Sequence, residues 1–250
     1  MERKDFLRGL GLAGLGALTI PVIKACSNDD SSDSSAADST QATDTGGDSS
    51  TGTCSVTASE TAGPFPTKTP TSLVTSNIVS DRTGVAFSIN IYVKNTKASC
   101  AALEGAIVDI WHCDKDGYYS EYGGTSMQSA DFTSVHFLRG RQTTDANGLV
   151  HFTSIFPGWY SGRATHIHVH VYNASGTSLL VTQIAFPEGS GSAVALVNAS
   201  SANGYTKGLS GYTYNASDNV FSDGVANEMS AVTGSVADGF VLTHTINVAG

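Results

Sequence analysis

Residues 162–172 read GRATHIHVHVY. From His166 onward, imidazoles alternate with aliphatic side chains: His166, His168 and His170 against Ile167, Val169 and Val171. A period of two is that of a β-strand, which sends successive side chains to opposite faces. The segment therefore predicts a strand with one apolar face for a core and one face carrying three histidines. Neighbours two apart on a strand sit roughly 6.7 Å from one another, so two imidazoles can share an ion, while the first and last, roughly 13 Å apart, cannot. Imidazole is the commonest side chain to bind transition metals. The plainer alternative is the polar solvent face of an edge strand.

The same periodicity extends outward. FSINIYVKN (87–95) alternates Phe87, Ile89, Ile91 and Val93 with smaller or polar partners, and AIVDIWHCD (106–114), LVHFTSIF (149–156), LLVTQIAF (179–186) and FVLTHTINV (240–248) are further strands. DANG (145–148) ends in Asn-Gly, the favoured dipeptide of a tight hairpin turn. No long amphipathic helix stands out; SAVALVNAS (192–200) and SDGVANEMSAV (222–232) each predict a short one. Many strands separated by glycine turns predict a mainly β domain, an antiparallel β-sandwich or barrel.

The chain has 250 residues and its two ends differ. MERKDFLRGLGLAGLGALTIPVIKAC places basic residues before a short apolar run and Cys26, the layout of an export signal over residues 1–26. ERKDFLR is similar to a twin-arginine signal with Lys4 at the second arginine, and VIKAC is a loose lipoprotein box, which makes Cys26 the candidate for lipidation and membrane attachment. Residues 27–53 are Ser, Asp, Thr and Gly without hydrophobic periodicity, and read as a disordered tether. Residues 54–250 are then a single folded domain by length. The net charge is −9, and removing residues 1–25 takes away four Lys/Arg and two Asp/Glu, leaving −11. Such a surface is repelled by phosphate backbones, which argues against nucleic acid as a partner. Cys54, Cys100 and Cys113 remain after Cys26; in an oxidising compartment two of them pair, and the sequence leaves all three pairings open.

Two histidines need further ligands. A cupin-type site adds a glutamate soon after its His-x-His, and VYNASGTS supplies no acid; Asp109 is the one nearby carboxylate for a two-histidine, one-carboxylate site. Tyrosine is the more informative partner. FPGWYSGR sets Tyr160 in a glycine-flanked turn six residues before His166, and WHCDKDGYYSEY sets Tyr118, Tyr119 and Tyr122 after a strand. Phenolate is a hard anionic donor suited to ferric iron.

TAGPF (61–65), GAIVDIWHCDKDGYYSEY (105–122) and FLRGRQTTDANGLVHFTSIFPGWYSGRATHIHV (137–169) resemble the intradiol ring-cleavage dioxygenases, in particular their exported single-chain branch. The likeness runs over about residues 57–186. It implies an antiparallel β-sandwich of the intradiol dioxygenase (transthyretin-like) type holding one non-haem Fe(III) through two tyrosines and two histidines. By the family pattern, Trp111 and Gly117 select Tyr119 over Tyr118, Pro-Gly-x-Tyr selects Tyr160, and Arg-x-x-His-x-His from Arg163 selects His166 and His168, with His170 left outside.

The implied reaction takes a catechol and O2 to a muconate-type diacid, cleaving between the two hydroxylated carbons. Tyr160 is implied as the ligand that leaves and accepts a substrate proton, Arg163 as the stabiliser of negative charge, and Gln183 as a neighbour of the active site. The short link from Tyr160 to Arg163 and the tether in place of an N-terminal helical region imply an open pocket and a monomer. Segment 187–250 offers no motif. The alternative of another class is an exported transthyretin-like binding module with a structural or vestigial metal site.

Overall fold

The computed structural model describes residues 54–250, so the expectations for the export signal, for Cys26 and for the 27–53 tether lie outside the described residues. Alternation builds the first sheet. β1 (Ala86–Asn95) buries Phe87, Ile89, Ile91 and Val93 and turns the residues between them outward. It pairs antiparallel with β2 (Ala101–Ala102) and β5 (Leu149–Ile155) and parallel with β9 (Gly239–Val248), which in turn carries β8 (Ala231–Ser235). The second sheet is antiparallel throughout, in the order β4 (Arg139–Thr143), β3 (Ile107–Trp111), β6 (His166–Tyr172), β7 (Ser178–Ala185). The inner faces of the two sheets share one core, with Ile89, Ile91, Phe152 and Leu242 on one side and Val108, Ile110, Ile167 and Val169 on the other. Each such side chain contributes about 1.5–3 kcal/mol on burial. The mainly β sandwich is the architecture expected.

Four details differ from expectation. The β1–β9 pair is parallel, because alternation reports that a strand is half buried and not which way its neighbour runs. β4 went unseen because its side chains are polar: Arg139 and Arg141 flank Gly140, where an added Cβ would stand 2.5 Å from Ile78. The DANG turn forms, with the Asp145 carboxylate accepting from the backbone N–H of Asn147 and Leu149, yet it carries the chain from one sheet to the other rather than closing a hairpin. Of the two predicted helices, α1 (Ala193–Asn198) forms, capped by the Ser192 hydroxyl. Residues 222–232 do not, because Gly224 takes φ +99 and Met229 bridges to Ala185 before β8 begins.

A strap over residues 54–68 crosses the outside of the sandwich. Cys54 pairs with Cys100, which resolves the open pairing and leaves Cys113 buried and free. The strap is then held by Thr57 against Asn247, by Glu60 N–H on the Val181 carbonyl, and by Gln183, whose amide donates to the Thr61 carbonyl. No helix among the described residues is long and apolar enough to cross a membrane.

Candidate metal centre

β6 divides its side chains between two jobs. Ile167, Val169 and Val171 enter the core, while His166 and His168 are buried on the other face, each 3% exposed. In register, His168 lies between Trp111 on β3 and Gln183 on β7. The Trp111 ring lies parallel to that of His168, at 1° and 4.9 Å between centroids. Gly63 of the strap, at φ +68, approaches the edge of the ring, where an added Cβ would stand 3.1 Å from His168 Cε1. His166 Nδ1 donates to the Ala164 carbonyl at 2.6 Å, so its Nε2 presents a bare lone pair.

Tyr119 arrives from the long loop between β3 and β4. The Asp114 carboxylate accepts from the N–H groups of Asp116 and Tyr118 and sets the first turn. Gln128, buried, clamps Tyr119 through both backbone groups: its Oε1 accepts from Tyr119 N–H at 2.7 Å and its Nε2 donates to the Tyr119 carbonyl at 2.8 Å. Arg139 fixes the next residue by donating to the Ser120 hydroxyl and carbonyl, and fastens the strap through the Phe65 carbonyl. Phe65 then stacks on the Tyr119 ring at 4.9 Å.

Three atoms converge. Tyr119 Oη is 3.1 Å from His166 Nε2 and 3.3 Å from His168 Nε2, and the two nitrogens are 3.1 Å apart. At most two protons are available for these three short contacts, because His166 Nε2 carries none. A cation satisfies all three: donors bound at about 2.0–2.1 Å in adjacent positions stand about 2.9–3.4 Å from each other. Charge agrees. Burial, with Arg163 adding to it, pushes His166 down to about 3, and burial holds His168 well below the usual imidazole range. Burial also pushes the Tyr119 phenol well above its ordinary value, so it ionises only beside a positive partner. The donor set of one phenol and two neutral imidazoles thus fits a hard transition-metal ion.

Tyr160 stands apart from this triangle. Its ring packs edge-on to Phe65 and Tyr119, at 5.4 and 6.1 Å, while its hydroxyl donates to the Met127 carbonyl at 2.7 Å. The loop that carries it is locked to the Tyr119 loop by two glycines: an added Cβ at Gly158 would stand 2.4 Å from the Lys115 carbonyl, and one at Gly117 would stand 2.4 Å from the Trp159 carbonyl. Arg163 donates from Nη2 to Gln183 Oε1 at 2.7 Å and from Nε to both Asp218 oxygens at 2.9 Å. Tyr160 and Arg163 border a cavity of about 240 Å³ that is also lined by Thr61, Pro64, Met127 and Val220.

Other sequence candidates go elsewhere. His170 pairs with the Ser178 hydroxyl and with Tyr172, and Asp109 is engaged by Arg141. Among the described residues, one group of three His, Cys, Asp or Glu side chains brings its ligand atoms within 4.8 Å of one another, Glu60, Asp223 and Glu228, and it contains neither histidine of the pair. Sequence reasoning missed Asp218 and Gln128. Asp218 lies in YNASDNVF, where an acid reads as an ordinary turn residue, and its carboxylate does accept from Val220 N–H in such a turn.

A family model described as Dioxygenase matches residues 67–226. A chlorocatechol 1,2-dioxygenase of Rhodococcus opacus is 30% identical over 103 residues, a match that spans 34% of this chain and 37% of the length of that relative. An intradiol ring-cleavage dioxygenase of Tetranychus urticae superposes with a TM-score of 0.67 at 27% identity, covering 78% of this chain and 95% of that one. The dioxygenase domain of a carbohydrate-binding fusion protein from Streptomyces sp. SirexAA-E shares the fold, with a TM-score of 0.54 at 24% identity over 77% of this chain and 97% of that one. With the family model covering more than half of its length, and the tyrosine–histidine cluster lying within the match, the chain belongs to the intradiol ring-cleavage dioxygenase family.

Proposed function

We propose that the protein is a non-haem Fe(III) enzyme, with one iron per chain held by Tyr119, Tyr160, His166 and His168, that cleaves catechols between their hydroxyls with O2 to give muconate-type diacids. The convergence of Tyr119 with the two histidines carries the reading. Bound ferric iron supplies the Lewis acidity that makes a catecholate ring reactive toward O2.

The chain's own residues do the rest. Tyr160 would be a phenolate while it helps hold the iron and in that form can accept a proton from a substrate hydroxyl; burial pushes its pKa up, which favours the resulting phenol, whose hydroxyl then donates to the Met127 carbonyl. Arg163 borders the cavity and stabilises the negative charge that builds on the opening ring, and Gln183 holds it there. Phe65 and Trp111 flank the ligands with apolar surface and keep water from them. The Cys54–Cys100 disulfide supports an oxidising setting, and with it the proposal that the protein is exported and attached through Cys26.

The test is made on purified protein expressed with iron. It is expected to carry about one ferric ion per chain with a visible tyrosinate band that dithionite bleaches, and to consume O2 on addition of catechol. The product is a muconate-type diacid containing both oxygen atoms. A colourless, zinc-loaded protein without oxygen uptake overturns the reading in favour of a binding module, and a yellow semialdehyde contradicts cleavage between the hydroxyls.

A further inference from the structure

Asp218 comes from the segment in which the sequence offers no motif. Its side chain is fully buried. The carboxylate accepts from Arg163 Nε on both oxygens at 2.9 Å, from Ala164 N–H at 2.8 Å and from Val220 N–H at 3.0 Å. Ala164 is the residue whose carbonyl orients His166, so one carboxylate touches both the guanidinium and the backbone that leads to the metal site. From Arg163 the chain of contacts continues through Gln183 to the Thr61 carbonyl of the strap. Arg163 Nη1 makes no hydrogen bond.

Arg163 is the one residue lining the cavity that carries a full charge. The two other arginines near the site are already taken, Arg139 by Ser120 and Phe65, and Arg141 by Asp109. Behind Arg163 the surroundings are acidic. Glu60 is pushed up by burial and by Asp223, with Arg163 pulling its carboxyl down and Asp218 pushing it up. The one charged side chain of the pocket is therefore offset, beyond its own hydrogen-bond reach, by a buried anion in direct contact with it, while its N–H groups can still donate to an oxygen that touches them. A carboxylate on the far side of the ring from the catechol oxygens gives up its hydration and gains no unpaired cationic side chain in return.

We infer that Asp218 is the positioning residue that sets Arg163 and, by offsetting its charge toward groups it does not touch, the residue that restricts the pocket to catechols whose ring substituents are neutral rather than anionic. The inference rests on the proposed reading of the cavity as a catechol site. A neutral substituent avoids the desolvation of a charge, and the apolar side chains of Met127 and Val220 are there to receive it. Removing the negative charge at residue 218 gives Arg163 an uncompensated positive charge and opens the site to carboxylates.

Two substrates of nearly the same shape separate charge from size: 3,4-dihydroxybenzamide and 3,4-dihydroxybenzoate. The iron-loaded wild-type chain is expected to cleave the amide with a kcat/KM about tenfold above that of the acid, and to bind it more tightly in anaerobic titrations followed by the visible band. Asp218→Asn keeps the shape of the side chain and is expected to shift the amide-to-acid ratio about tenfold toward the acid, mainly in KM and in the anaerobic Kd. A role in folding alone would lower both substrates together and leave the ratio unmoved. Equal cleavage of amide and acid by the wild-type chain overturns the inference without any variant, so a failure of Asp218→Asn to fold does not protect it. An unchanged ratio in a folded, iron-loaded Asp218→Asn protein overturns it as well. A colourless chain that cleaves neither compound overturns the ring-cleavage reading itself, and this inference with it.

Discussion

Each imidazole of the site is fixed by a different neighbour. The Ala164 carbonyl chooses the tautomer of His166, while His168, whose Nδ1 has no partner, is held by the Trp111 ring on one face and by Gly63 at its edge. His170 is on the same side of the strand but is occupied at both nitrogens, by Ser178 and by Tyr172, whose ring stacks on it at 3.9 Å. Three histidines at equal spacing therefore have unequal roles. His168→Ala is expected to lose the iron and the visible band, with activity down more than about 100-fold, because removing a ligand costs more than disturbing the groups around it. His170→Ala is expected to keep both iron content and colour. Metal analysis of the two proteins decides: loss of iron from His170→Ala with retention in His166→Ala would move the ligand pair two residues along β6.

At the scale of elements, the site depends on how closely two loops approach. Gly158 and Gly117 let the Tyr160 and Tyr119 loops meet backbone to backbone, which is the physical content of Pro-Gly-x-Tyr and Gly-x-Tyr. Gly158→Ala is expected to cost about 1–3 kcal/mol and to weaken iron binding, because its Cβ drives into the Lys115 carbonyl and parts the loops. Gly162→Ala is the matched control. Gly162 has φ +82 but open space around it, so its substitution is expected to cost about 1–2 kcal/mol in backbone strain and to leave the iron in place. Denaturant midpoints and iron content on the two variants check this; equal iron loss from both would sink the loop-contact account.

The same contacts explain what the sequence could tell. Strands with an apolar face, such as β1 and β6, were legible from period two. The resemblance to short motifs with fixed offsets selected Tyr119, Tyr160, His166 and His168, and the structure brings three of these together while Tyr160 stands apart on the Met127 carbonyl. β4 was not legible, since Arg139 and Arg141 contribute through polar contacts that no periodicity records. Neither was Asp218, which reaches Arg163 across 55 positions of sequence. A single acid in a turn gives no sign of such a partner. Gln128 was hidden for the same reason, although its target lies only nine residues away.

On the scale of the whole molecule, the strap joins stability to the site. It begins at the Cys54–Cys100 disulfide, crosses β9 and β7, and delivers Thr61, Gly63 and Phe65 to the cavity and its ligands. Cross-linking residues separated by 46 positions removes denatured-state entropy worth about 4 kcal/mol in the loop-closure model. A domain of this size shifts its Tm by about 2–4 °C per kcal/mol, so the Cys54→Ser/Cys100→Ser double variant is expected to melt about 10 °C below the wild-type protein. Its iron is expected to stay, because Gln128, Ala164 and Trp111 hold Tyr119, His166 and His168 from outside the strap, and the Arg139 bond to the Phe65 carbonyl keeps Phe65 on Tyr119 without the disulfide. Substrate affinity is expected to weaken severalfold, since Thr61 and Gly63 hang from the freed end through fewer constraints. Calorimetry, iron analysis and KM for catechol on the double variant read the three quantities separately. A double variant that keeps the wild-type Tm would show that the Thr57, Glu60 and Phe65 hydrogen bonds hold the strap without the disulfide. One that sheds its iron would place the strap among the elements that build the metal centre rather than those that cover it.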